Sequence, residues 1–370
     1  MVKDSFTLSS IVGHSNLHQS YLVSYDVVSL FTNIPVQETI NVIMNKLYPR
    51  TPGVLRSDMN YMGINSRTMR KALKWCLCNQ TFTFDGSLYK QVDGCAMGSP
   101  LAPHMADIFM NHVLERKINN RRDSYFDVEF RRFQAKGTVH PGIKIQFFGR
   151  YVDDTLVAVN SERDAELFLE YLNGLHHCVK FTMEKEDSGI LPFLDILIKR
   201  LEDGISTTIY RKKTHSGVYS HYKCFIPEKF KRTLVYTLVD RAWKICSTYQ
   251  LWHREISYLK TMLMSNGYTR RFIEFQVHRY LSTIYDQNAP PPKKLTYGPD
   301  KLRLYIRLPY LGAANHKLEG CIRTCFKRIK AGGFQLVVIN KYSRLKDWFG
   351  VKDRTPKLMR SNVVYKLECS

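Results

Sequence analysis

The chain is 370 residues long, 44% hydrophobic and 12% aromatic, enough to bury a core in two or three domains. No uninterrupted apolar run reaches about 18 residues, which argues against a membrane-spanning helix and a membrane partner. The opening MVKDSFTLSS lacks the apolar block of a secretory signal. The formal net charge of +22 is unevenly spread: residues 1–209 hold 23 Lys/Arg and 23 Asp/Glu, residues 210–286 hold 14 and 5, and residues 287–370 hold 18 and 5. A neutral first part followed by a basic second part fits a polyanion partner, because each neutralised phosphate releases counterions. A basic surface that only aids solubility is the plainer alternative. The nine cysteines fall at irregular spacings, which suits reduced intracellular thiols and not a disulfide framework. Cys321 and Cys325 can share a helical face and His177 adjoins Cys178, but without a paired Cys-x-x-Cys set structural zinc is not expected.

In chain order, Tyr21 to Leu30 (YLVSYDVVSL) reads as a buried strand. A helix starts over Thr32-Asn33-Ile34-Pro35, with Val36, Ile40, Ile43 and Leu47 as its apolar face. Thr81 to Gln91 reads as a hairpin turning at Asp85-Gly86. A helix follows Ser99-Pro100, with Ile108, Phe109, Val113 and Ile118 at helical spacing. Ile143 to Val159 consists of two apolar runs meeting at Val152-Asp153-Asp154, a hairpin with two acids at its tip. A helix marked by Ala165, Phe168, Leu169 and Leu172 ends at Gly174, and strands Val179–Glu184, Phe193–Lys199 and Ile205–Arg211 follow.

From Pro227 the period becomes helical. Phe230, Leu234, Leu238, Ala242 and Ile245 are expected on the buried face, with Lys231, Arg232, Arg241 and Lys244 pointing elsewhere. Further helices are expected over Glu255–Met264 and from Arg270 to Tyr285. NAPPP at residues 288–292 reads as a stiff linker, and residues 302–350 as strand, helix (Lys317–Lys330) and strand. The fold class is α+β: an antiparallel sheet with helices on one side over residues 20–212, after a short N-terminal remnant (1–19). A basic helical unit (213–286), a linker (287–299) and a small basic α/β module (300–370) complete it.

Three patterns carry chemistry: Asp26 in SYDVVSLF with Phe31 five residues on, Gly98-Ser99-Pro100 opening a helix, and Asp153-Asp154 at the hairpin tip. Each alone is ordinary. Adjacent aspartates are usually a solvated turn, and Gly-Ser-Pro is usually a helix start. Here the acids sit between apolar β-runs, and strand pairing can bring Asp26 to Asp153. Such carboxylates are hard oxygen ligands of the kind that hold two Mg²⁺ ions for nucleotidyl transfer. A bulky ring at Phe31 beneath a sugar would clash with a 2′-hydroxyl and so favour dNTPs, which counts against an RNA-synthesising polymerase.

At these residues the chain resembles the reverse transcriptases of Penelope-like retroelements. SYDVVSLFTNIP resembles that family's motif A, GCAMGSPLAPHMADIFM its motif B, GRYVDDT its motif C, KFTMEKEDSGILPFLDILI its motif D region and YRKKTHSGVYSHY its motif E hairpin. The stretch Phe225–Tyr268 is similar to the family's thumb. LPYLG (residues 308–312) and VVYKLEC (residues 363–369) extend the resemblance. It implies a polymerase palm followed by a thumb and an RNA-directed DNA polymerase acting on RNA template, DNA primer and dNTPs. Asp26, Asp153 and Asp154 are then the catalytic and metal-binding acids for two Mg²⁺, with Mn²⁺ as a substitute. Phe31 is the sugar gate, and Gly98, Ser99 and Pro100 are the substrate-positioning turn. Lys212, Lys213, Lys231, Arg232, Arg241 and Lys244 become the nucleic-acid contacts, and Lys180 or Lys185 a general acid. Motif B has Ala102 where the family more often has Ser. Against the family pattern a fingers region before Asp26 and the nuclease tyrosines after VVYKLECS are not in this sequence. The alternative is therefore an inactive remnant that binds RNA and DNA. The family's lifestyle implies a nuclear location within the cell.

Overall fold

The computed structural model describes residues 2–49, 60–112, 143–285, 302–312, 314–328 and 334–341. The proposed linker at 288–292, the helical positions Val113 and Ile118, and VVYKLEC lie outside them. By internal packing the chain divides into two units, one of residues 1–211 with 245–247, the other of 212–244 with 248–352.

The first unit is built on one antiparallel sheet, β6-β7-β1-β8, formed by β1 (Tyr21–Val27), β6 (Phe147–Tyr151), β7 (Asp154–Val159) and β8 (Phe181–Lys185). The central strand β1 pairs with β7 from Tyr21↔Val159 to Tyr25↔Thr155, and with β8 from Val23↔Lys185 to Val27↔Phe181. Its alternate residues enter two cores. Val23, Tyr25 and Val27 join Phe148, Val157, Val159 and Phe181 on one face. That face is covered by Ile40 and Met44 of α3 (Val36–Leu47), Met105 and Phe109 of α5 (Ala102–Met110), and Phe168 and Leu172 of α6 (Glu162–Gly174). Leu22 joins Phe147, Leu156 and Ala158 on the other face.

That second face is not bare, as an arrangement with helices on one side only would require. Leu8 and Val12 of α1 (Ser5–His14) cover it, with Leu191, Phe193, Ile196 and Ile198 from a three-stranded antiparallel sheet, β11-β10-β9. Burial on both faces explains why YLVSYDVV reads as a continuous apolar run and not as an alternation. Residues 1–19 therefore supply core, and Asp4 caps α1 by accepting a 2.8 Å hydrogen bond from the Thr7 amide.

Other elements differ from the sequence reading. Leu30–Asn33 form a separate helical turn, α2, and Pro35 is the N-cap of α3. The run 193–199 is split: Phe193 ends β9 (Ile190–Phe193), Leu194 turns at φ 54°, and β10 (Ile196–Arg200) returns antiparallel before β11 (Ile205–Ile209). A short hairpin, β2 (Asn60–Tyr61) and β3 (Ile64–Asn65), leads into helix α4 (Ser66–Cys78). The hairpin of β4 (Thr81–Phe84) and β5 (Ser87–Lys90) follows it.

The second unit contains α7 (Glu228–Ile245, its last residue counted with the first unit), α8 (Tyr249–Ser265) and α9 (Arg270–Tyr285). In α7 the buried stripe is Val235, Val239, Ala242 and Ile245, while Phe230 is 44% exposed, contrary to its expected place on the core face. Helix α8 begins before Glu255 because Thr248 caps it, accepting from the Leu251 amide. Gly267 closes the α8–α9 turn at φ +82°, where a Cβ would strike the His221 ring. Strands β12 (Leu302–Pro309) and β13 (Phe334–Lys341) pair in parallel through the crossover helix α10 (Ala314–Arg328).

Candidate active site

The β6–β7 hairpin closes at the pair Tyr151↔Asp154, leaving Val152 and Asp153 as a two-residue turn. Val152 has φ 54° and Asp153 is not at positive φ, the sign pattern of a type II′ turn, which normally places glycine first. A β-branched side chain in that region is strained. The strain is braced by Arg150, only 1% exposed, which donates at 2.8 Å to the Val152 carbonyl and at 2.9 Å to Asp107 on α5. The helix that follows Gly98-Ser99-Pro100 is thereby tied to the turn carrying Asp153.

Asp26 lies one position beyond the pair Tyr25↔Thr155, so the register of β1 on β7 continues to set it opposite Asp154. Opposed residues share a sheet face, and Asp26 and Asp154 continue the side occupied by Leu22, Leu156 and Ala158 where the core gives out. Desolvation raises the Asp26 carboxyl above its usual range, the Asp153 charge raises it further, and the Val27 amide hydrogen bond opposes them. The structure thus brings the three acids to one end of the sheet. Their carboxylate oxygens do not all lie within 4.8 Å of one another; among the described residues only His176, His177 and Cys178 form such a three-ligand group. His176 is otherwise occupied, with Nδ1 accepting from the Cys178 amide at 3.2 Å and Nε2 donating to the Glu38 carboxylate at 3.1 Å.

Phe31 sits on α2, half-buried against the helix-covered core. Its carbonyl accepts at 2.7 Å from the Cys95 amide. The adjacent Gly94, at φ +70°, lies so close that a Cβ would fall against the Phe31 and Thr32 carbonyl oxygens. The loop bearing Gly98, Ser99 and Pro100 is therefore seated on the backbone of Phe31. Gly98 is itself at φ +95° with open space around it, the Ser99 amide donates to the Ala96 carbonyl, and Pro100 is exposed.

Of the two lysines considered as proton donors, Lys185 bonds to Glu162 at 2.6 Å and Glu166 at 2.7 Å, and those hydrogen bonds hold its pKa well above the ordinary lysine value. It stands opposite Val23, on the sheet face away from Asp26. Lys180 is exposed, and its carbonyl accepts from the Val28 amide at 2.9 Å, next to Asp26 along β1. In the basic unit Lys212 and Lys213 are exposed. Lys231 lies 4.9 Å over the Tyr222 ring, Arg232 is 3.9 Å from Glu228, Lys244 is 2.7 Å from Asp240, and Arg241 is half-buried.

Arg150 and Asp107 were not singled out in the sequence. The one signal was an arginine inside an apolar β-run (FFGRYV).

The donor set fits divalent cations: hard carboxylate oxygens at a sheet end, one of them with a proton affinity raised first by desolvation and then by the Asp153 charge. No helix of the described residues is long and apolar enough to cross a membrane.

Comparison with known proteins agrees with this chemistry. Residues 5–186 match the family model described as reverse transcriptase (RNA-dependent DNA polymerase), and residues 218–278 match the animal helix-turn-helix domain. No curated protein matches. Among solved structures, telomerase from Candida albicans with a fragment of telomeric RNA is 10% identical with a TM-score of 0.47, covering 76% of this chain and 44% of that one. Apo telomerase from Candida tropicalis is 12% identical at a TM-score of 0.40 (78% and 45%), and the Sicinivirus RNA-dependent RNA polymerase 13% at 0.39 (76% and 55%). The chain thus spans about half the length of these solved chains. The segment 5–186, just under half of the chain, thus carries a reverse transcriptase domain by its match to that family model.

Proposed function

We propose that the chain is the catalytic core of an RNA-directed DNA polymerase of the Penelope-like retroelement kind, extending a DNA primer on an RNA template with dNTPs. The observation that carries the proposal is the meeting of Asp26 with Asp153 and Asp154 at one end of the β1–β7 pairing. Two divalent ions, Mg²⁺ or Mn²⁺ in its place, would be held by these three carboxylates and would relieve charge on the attacking and leaving oxygens. Arg150 fixes the turn on which Asp153 is presented. Phe31, its backbone held by Cys95 and Gly94, would act as the gate against a sugar 2′-hydroxyl. Lys180, whose ammonium donates at 3.4 Å to the Asn173 carbonyl, and Lys185, tied to two glutamates, both stand as candidates for the proton donor to the leaving group.

The second unit offers a basic surface for primer–template, through phosphates and shape more than sequence. Lys212 and Lys213 are exposed on it and make no ion pair among the described residues, while Lys231, Arg232 and Lys244 would exchange their present partners for phosphate. A nuclear site of action belongs to the same proposal.

Primer extension on an RNA template with dNTPs and Mg²⁺ tests it, beside the Asp153→Asn/Asp154→Asn double variant. Extension by the wild type, with a loss of at least about a thousandfold in the variant, is expected for acids that act on the transition state. No extension by either protein, with duplex binding intact, would establish the binding remnant instead. A Phe31→Val variant should gain rNTP incorporation, and unchanged discrimination would remove the gate from the proposal.

A further inference from the structure

Within the first unit, residues 60–92 stand apart in charge and exposure. They hold five Lys/Arg and one acid, Asp85, inside a stretch (1–209) whose charges cancel. On α4, Arg67, Lys71, Lys74, Trp75 and Cys78 are all exposed and fall on one helical face, while Met69, Leu73 and Leu77 turn to the core. Trp75 is 68% exposed. Arg67, Lys71 and Lys74 make no ion pair among the described residues.

The β4–β5 hairpin that follows is aromatic on one face and uncovered there. Phe82 and Tyr89 are cross-strand partners with rings stacked at 5.5 Å, and Phe84 meets Tyr89 edge-on at 6.4 Å. All three rings are exposed, Phe84 to 68%.

One residue fastens this surface to the candidate active site. Gln80, buried between helix and hairpin, donates through its side chain to the Cys76 carbonyl at 3.1 Å and accepts at its own carbonyl from Gln91 at 2.9 Å. Its Oε1 accepts from the Ala96 amide at 2.8 Å, at the start of the turn carrying Gly98, Ser99 and Pro100.

We infer that the basic face of α4 and the aromatic face of the β4–β5 hairpin form a binding surface for the unpaired template strand beside the nucleotide site. Cations that attract a phosphate backbone, interleaved with rings that take the faces of successive bases, are what sequence-tolerant single-strand binding needs. An acidic peptide would satisfy the cations and leave the rings unused. A purely apolar partner would leave Arg67, Lys71 and Lys74 against a dry surface without counter-charge. The inference rests on the polymerase reading only for the identity of the strand.

Binding, measured without catalysis, tests it. The full chain in an Asp153→Asn background is titrated by fluorescence anisotropy with a blunt RNA–DNA hybrid, and with the same hybrid carrying a 5′ RNA overhang of about eight nucleotides. The overhang should tighten binding at least about fivefold, the lower bound for one stacked base. Trp75→Ala/Phe84→Ala/Tyr89→Ala should erase that gain and leave the blunt hybrid unchanged, with folding checked by circular dichroism. Lys71→Glu/Lys74→Glu, a variant that touches no ring, should erase the gain as well, and its loss should shrink at high salt. Equal binding of both hybrids by the parent, or a gain retained in both folded variants, overturns the inference. So does a variant that turns a dimer into a monomer in sedimentation, because the rings would then be a contact between copies. A surviving overhang gain without primer extension by wild type would cost only the polymerase reading, and extension without the gain would cost only this one.

Discussion

Three hairpins in the first unit turn through two residues that include an aspartate, and two of them, β4–β5 and β6–β7, are built in opposite ways. The β4–β5 turn is Asp85-Gly86, both at positive φ (47° and 72°), residues that accept this geometry at little cost, on strands that are largely exposed. The β6–β7 turn is Val152-Asp153, with a β-branched residue at φ 54°, on strands buried except at the flanking Tyr151 and Asp154, and braced by a buried arginine. Local chemistry alone makes the first turn. The second exists because the fold around it holds it, and that is the arrangement expected of a turn that presents a reacting group. Leu194, at φ 54° in the β9–β10 turn, shows that a turn without glycine is not sufficient evidence of function by itself. What distinguishes Val152 is branching at Cβ and the Arg150 contact to its carbonyl.

Removing the brace should have the largest effect on this contrast. Arg150→Met leaves Asp107 without its 2.9 Å partner and the Val152 carbonyl without its donor. Because Asp107 keeps some water contact, the expected loss is about 2–3 kcal/mol of stability, below the range for a wholly buried pair. Primer extension should fall further than stability explains. Arg150→Lys should rescue little, since a single ammonium cannot reach both acceptors in the planar fork geometry. Urea denaturation and extension rates measure the two effects, and a Met variant as stable and as active as wild type would show the brace to be incidental.

The turns themselves supply a smaller, paired effect of opposite sign. Gly86→Ala forces a Cβ into positive φ and should cost about 1 kcal/mol with extension unchanged. Val152→Gly relieves the same kind of strain, offset by the added flexibility of the unfolded chain, for a net gain of up to about 1 kcal/mol. If strain positions Asp153, that more stable variant should be slower, and thermal melts beside extension rates decide it. Equal activity with higher stability would mean the strain has no catalytic use.

The same two turns show what could be read from residues alone. Asp-Gly is a complete local instruction, so the β4–β5 hairpin was legible, and the apolar runs around Val152-Asp153-Asp154 made that hairpin legible too. Asp26 stood out because a charge interrupts a strand buried on both faces. Three features were hidden for identifiable reasons. Helix α4 buries only Met69, Leu73 and Leu77 against its core and is otherwise basic, too thin a stripe to announce a helix. Helix α1 is rich in serine and threonine, residues that favour caps over helix interiors, and forms because Leu8 and Val12 have a core to enter. Arg150 looks like a surface residue until the fold brings Asp107, 43 positions away, within reach.

The smallest effect concerns Asp26 and follows from its raised pKa, caused first by burial and then by the charge of Asp153. A carboxyl whose folded pKa lies above its unfolded value binds its proton more tightly when folded, so as a carboxylate it costs stability. That cost is fully present above the folded pKa and shrinks as pH falls towards the unfolded value of 3.8. In chelator at neutral pH Asp26→Asn should therefore melt slightly above wild type, by an amount that solvent screening of this exposed side chain keeps small. The advantage should fade as pH is lowered through the folded pKa and vanish below 3.8. Added Mg²⁺ should reverse the order, because a cation bound by the folded protein stabilises only the chain that retains its ligand. Melting curves with and without Mg²⁺ across this pH range check both signs. An Asn variant that melts lower in chelator would mean that Asp26 is held by an attractive contact and not by the repulsion its position implies, and the contrast between a freely formed turn and an imposed one would then end at Val152.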